Sequence, residues 1–146
     1  MTLQNLLKQW FDIAADDLDV AKGCLKKYYP PKLSIACYHA QQAAEKSLKG
    51  FLIYCDIEPP HIHNLAELCK MCMEKDSSFN SILELCDYMN PFGVVTRYPK
   101  EKEITALMAK TAISQAQEIN KFCLSKITVL KTKQCILRRM IKIFLR

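Results

Sequence analysis

Glycine is scarce in this chain, with three residues among 146, and no β-rich stretch competes with several long periodic segments, so a sheet has little to build on. No apolar run approaches the length needed to cross a bilayer. The chain opens without the charged, apolar, small-residue pattern of a signal peptide, and most of its eight cysteines sit at helix-interior positions. Reduced thiols in a cytoplasmic protein are therefore the expectation. Cys69-x-x-Cys72 has no second Cys-x-x-Cys pair, although His61, His63 or Cys86 would be candidates to complete a tetrahedron. On a helix the same spacing places two small buried hydrophobes on one face, and no metal is expected. Acidic residues are missing altogether after Ile127.

What remains is a hydrophobic, helix-forming composition. A chain of this length is most simply one domain, long enough to bury on the order of two thirds of its unfolded surface. Residues 1–127 carry 15 Lys and Arg against 15 Asp and Glu, so the formal +6 belongs to Lys131, Lys133, Arg138, Arg139, Lys142 and Arg146. The expected organisation is a neutral helical bundle over 1–127 followed by a basic amphipathic extension over 128–146.

Periodicity predicts an all-α, up-and-down bundle of about five helices. The first runs from about Leu3 to Tyr28, with Leu3, Leu7, Trp10, Ala14, Leu18, Ala21, Leu25 and Tyr28 on one stripe and Asp16, Asp17 and Asp19 mostly away from it. Pro30-Pro31 ends it, and Pro31 can open a second helix that continues to about Cys55. After a turn through His63, Asn64 and Glu67 form a capping-box-like start to a third helix ending near Lys75. Ser77 or Ser78 is expected to cap a fourth, through about Tyr88, and a long fifth is built on Ile104, Met108, Ala112, Ala116, Ile119, Cys123 and Ile127.

Function is written most densely in the second helix. Ala36, Ala40, Ala44, Leu48, Phe51 and Cys55 make a narrow buried stripe whose small residues let a neighbouring helix approach, while His39, Gln42, Lys46 and Lys49 share another side. Two readings fit that polar line: the solvated back of an amphipathic helix, or a row of groups that grips a ligand. Arg97 is the one arginine before the extension and stands in the loop leading to the fifth helix. There it either meets a phosphate, favoured by the helix dipole, or ties the loop to Asp16, Asp17 or Glu45. Tyr98 and Pro99 are expected to set the path of that loop, and His63 to hold its own turn.

The run His39-Ala-Gln-Gln-Ala-Ala-Glu-Lys-Ser-Leu-Lys49, then Pro60-His-Ile-His-Asn-Leu65, then Thr96-Arg-Tyr-Pro99 resembles the HEPN domain family, over roughly residues 7–125. Three motifs in the family's order are far more specific than any one of them. The resemblance implies an up-and-down helical bundle, usually dimeric, of a kind often paired with a minimal nucleotidyltransferase in toxin-antitoxin-like systems and associated with nucleotide binding. Residue by residue it places Gln42, Glu45, Lys46 and Lys49 in the central helix motif, His63 and Asn64 in the turn, and Arg97, Tyr98 and Pro99 in the late motif. A bound nucleotide, ATP or GTP, would have its phosphates met by Arg97 and Lys46 and its base or ribose read by Gln42 or His39.

RNA-cleaving members of the family carry an arginine followed within a few residues by a histidine. Here all three histidines precede residue 64 and every arginine lies at 97 or later, so the usual acid-base partner for breaking a phosphodiester is missing. The chain is accordingly read as a binding module and no catalytic residue is assigned. Two alternatives carry different consequences: an RNA-cleaving or nucleotide-processing enzyme with an atypical site built from His39, His63 and Arg97, or a structural adaptor whose extension holds the partner. Within that extension Leu130, Leu137, Ile141, Phe144 and Leu145 keep roughly helical spacing among basic residues. It can continue the fifth helix, lie on an anionic surface or contact RNA.

Overall fold

A computed structural model describes residues 1–94 and 103–144, with side chains through Ile127. Five α-helices account for the architecture, and no strand occurs among the described residues: α1 (Leu3–Lys26), α2 (Leu33–Tyr54), α3 (Leu65–Lys75), α4 (Leu83–Met89) and α5 (Ala106–Phe144). Short 3-10 segments at Ser77–Ile82 and Asn90–Gly93 flank α4.

Helix α2 is the central element, packed most extensively against α1 and α5. Its alanines at 36, 40, 43 and 44 and those of α5 at 109, 112 and 116 are fully buried, and short side chains of this kind allow close helix approach. Larger groups fill the space under α3 and α4, where the Phe51 and Phe79 ring centroids lie 4.4 Å apart and Phe79 meets Phe122 edge-on at 5.0 Å.

The register of the three long helices follows from their contacts. Asp17 of α1 reaches His39 and Lys46 of α2, and a Cβ on Gly50 would meet the Phe11 ring at 2.9 Å, so α1 and α2 run antiparallel. Asn120 of α5 donates to the Ser47 hydroxyl at 2.9 Å, and Phe122 and Phe51 both touch Phe79, so α5 runs in the direction of α2. In that register Ile127 stands level with Tyr54, and residues 128–144 continue the same helix about 25 Å further.

Several local expectations are adjusted. Helix α1 ends at Lys26, and Leu3 and Tyr28 are exposed although their place on the stripe would bury them. Helix α2 starts at Leu33, past Pro31, with no side-chain cap. Asn64 caps α3 as expected, its Oδ1 accepting from the Glu67 amide at 3.0 Å. The next segment is capped by Asp76 rather than by a serine, and its first turns are 3-10 because Asp76 holds both the amide and the hydroxyl of Ser78. Ile104 precedes α5, whose first turn is held by the Thr105 hydroxyl accepting from the Met108 amide at 3.1 Å.

Candidate functional site

The polar line of α2 is neither free nor simply solvated. Its two edges are each claimed by a carboxylate. On the α1 side, the Asp17 carboxylate lies 2.8 Å from His39 Nδ1 and accepts a hydrogen bond from Lys46 Nζ. Only 11% of the Asp17 side chain is exposed, against about a quarter of His39 and of Lys46. On the other side, Glu45 accepts from Lys49 Nζ at 2.8 Å and lies 3.1 Å from His63 Nδ1. Glu45 and Lys49 are nearly buried, whereas the His63 side chain is 71% exposed.

Between these clusters runs an amide relay. Gln42 donates to the Gln41 side-chain oxygen at 2.9 Å, and Gln41 Nε2 donates to the His63 carbonyl at 3.1 Å. Gln41 is fully buried, and Gly93 leaves room for it: a Cβ there would stand 2.9 Å from its Cδ and Nε2. Asn90 accepts from the Leu65 amide at 2.8 Å, tying the start of α3 to the same region. The row is thereby built from α1, α2, the turn before α3 and the segment after α4.

Every charged group in this row has an opposite partner within hydrogen-bond reach, so with neutral histidines the two lysines and two carboxylates cancel. Such a row can hydrogen-bond a ligand through Gln42 and the outer edges of His39 and His63, but it has no surplus positive field of its own. Of the expected site residues, the structure brings together His39, Gln42, Glu45, Lys46, Lys49 and His63, with Asn64 beside them as the cap of α3. Arg97, Tyr98 and Pro99 lie outside the described residues.

Two members of the row are not assigned to it by the sequence, which sets Asp17 mostly away from the α1 stripe and offers it only as a partner for Arg97. Asp17 resembles its outward acidic neighbours in type, yet it sits three residues after buried Ala14 and four before buried Ala21, which is the spacing of the inner face. Gln41 likewise shares the spacing of Cys37, Ala44 and Leu48, all buried.

The cysteines belong to the core. Burial pushes the Cys72 and Cys123 thiols far up, and the hydrogen bond to Cys69 together with burial does the same for Cys86, so these sulfurs stay protonated at neutral pH. Cys72 points its thiol at the Leu48 carbonyl, 3.7 Å away. Among the described residues no group of three or more His, Cys, Asp or Glu side chains is placed to hold a metal ion, and no helix is long and apolar enough to cross a membrane.

The bundle, its central motif helix and the turn leading to the Asn64 cap of α3 define a class. The HEPN domain family matches residues 7–127, and the chain belongs to that family. Among solved structures it is similar to TT1696 from Thermus thermophilus, with 27% identity and a TM-score of 0.73 over 82% of this chain and 97% of that one. ST0689, an archaeal HEPN homologue, shares the fold at 24% identity and a TM-score of 0.63, over 83% of this chain and 97% of its own. No curated protein matches.

Proposed function

We propose that this chain is a cytoplasmic, non-catalytic HEPN binding module, a homodimer that recognises a nucleotide and acts with a minimal nucleotidyltransferase partner in a toxin-antitoxin-like pair. The observation that carries the reading is the charge-compensated row on α2, where Asp17 and Glu45 fix Lys46, Lys49, His39 and His63 in place beside the amide of Gln42. Groups held this way are preorganised for recognition, and the row itself supplies no unpaired acid-base pair. In this reading Gln42 and His39 face the base or ribose, and Lys46 exchanges Asp17 for a phosphate oxygen beside Arg97. The order of histidines before arginines supports binding over RNA cleavage.

Calorimetric titration of ATP and GTP into the protein, beside Lys46→Ala and Arg97→Ala, tests the nucleotide. Binding lost in both folded variants supports it; no heat with either nucleotide in a folded dimer overturns it. Titration of a purified minimal nucleotidyltransferase tests the partner separately.

One contact favours a second reading. With Asp17 at His39 Nδ1, the imidazole is oriented as a general base is by its carboxylate. Nucleotide or RNA turnover abolished by His39→Ala would make the protein an enzyme with an atypical site.

A further inference from the structure

At the end of the bundle where α1 begins and α2 finishes lies an open groove of about 510 Å³, with Leu3, Leu6, Trp10 and Ile53 among its walls and Asp56 and Glu58 at its rim. Leu3 is half exposed and Trp10, the single tryptophan of the chain, is only partly covered. Both rim acids are exposed, and neither Asp56 nor Glu58 has a salt bridge among the described residues. An apolar floor with an acidic rim fits an amphipathic helix whose polar residues are basic.

The chain itself carries such a helix. Beyond Ile127, α5 continues past the end of α2, at the end of the bundle where the groove opens. Residues 128–144 have five basic residues and no acid. Its apolar register positions, Leu130, Leu137, Ile141 and Phe144, prolong the spacing of Cys123 and Ile127 on the core face of α5, with Gln134 as the one polar interruption. Two extensions pairing with each other would set Lys133 of one against Arg138 of the other, a like-charge contact that opposes a simple coiled coil. Nor does a continuous helix turn back on its own groove. Ser47, which α5 touches, and Ile53, which lines the groove, stand about 120° apart around α2.

We infer that the extension of one chain docks in the Trp10 groove of a second copy, and the reverse, so that residues 128–144 clasp the dimer. The inference rests on the homodimer reading above but not on the nucleotide. Sedimentation of the full chain over a concentration series, with Trp10 emission followed in parallel, tests it. Expected is a concentration-dependent dimer whose Trp10 emission shifts to the blue on assembly. Asp56→Lys with Glu58→Lys should weaken the dimer about tenfold and return the emission to the red. Mixing that variant with a chain carrying Lys131→Glu, Lys133→Glu, Arg138→Glu and Arg139→Glu should restore assembly, which also shows that both variants fold. A dimer indifferent to the groove charges overturns the clasp and leaves the dimer standing. A full chain that is monomeric at every concentration overturns both. Loss of RNA or anionic-vesicle binding on the tail substitutions, with the oligomeric state untouched, also overturns the clasp and assigns the extension to that surface.

Discussion

Asp17 is the residue whose removal most directly tests the architecture of the α2 row. Its carboxylate is nearly buried and serves His39 and Lys46 at once, from a different helix. A hydrogen bond to a charged group is worth about 1.5–3 kcal/mol when desolvated. His39 and Lys46 are each about a quarter exposed, so water recovers part of that on truncation, and about 1 kcal/mol per contact is the appropriate figure. Asp17→Ala should then cost about 2 kcal/mol, a fall in Tm of about 4–8 °C for a chain of this size. Double-mutant cycles separate the contacts: Asp17 with Lys46, and Asp17 with His39, should each show a coupling of about 1 kcal/mol in urea unfolding. Part of the coupling should survive high salt, because a buried carboxylate is screened less than a surface one. Couplings near zero in both cycles would refute the reasoning and return the polar line to a solvated helix face. The same variant speaks to function. Asp17→Asn releases Lys46 from its internal counterion, so if Lys46 meets phosphate, nucleotide affinity should rise even as stability falls.

Gly93→Ala should destabilise by about 1–3 kcal/mol, because the new methyl needs the space of a Gln41 side chain pinned by two hydrogen bonds. Combined with Gln41→Ala the cost should be well below additive, and strict additivity in denaturant melts would place the clash elsewhere. Asp76 is held below the usual carboxylate range by the Ser78 hydroxyl, the Ser78 amide and Lys126, in spite of burial. A carboxyl depressed in the folded state contributes stability above its unfolded pKa of about 3.9 and loses it as pH falls through the folded value. The gap between wild type and Asp76→Asn, which keeps a capping side chain but loses the carboxylate charge, should therefore be at most about 1 kcal/mol, full at neutral pH and lost as pH falls below about 4. A gap that widens on acidification would contradict the assigned cause.

What can be read in the chain, and what cannot, divides along sequence distance. Helix existence, the Asn64 cap and the small-residue stripe of α2 all depend on residues within two turns of one another, and a periodic pattern carries that information. The 3-10 start after Asp76 is illegible for a local reason, since Asp76, Ser77 and Ser78 are all good caps and only the paired bonds to Ser78 decide among them. Partnerships are another matter. His39 and Asp17 are 22 residues apart, Lys46 and Asp17 29, and His63 and Glu45 18, and each pairing is decided by helix register or turn geometry. Residue type alone puts lysines and histidines on one side of a helix, which looks cationic. The Glu45–Lys49 pair is a four-residue spacing within α2, but only the register shows that Asp17 neutralises Lys46. The consequence for function is specific: a phosphate approaching this row must displace Asp17 or Glu45 from a lysine or bring a further cation, so the nucleotide reading depends more heavily on Arg97 than the α2 motif by itself implies.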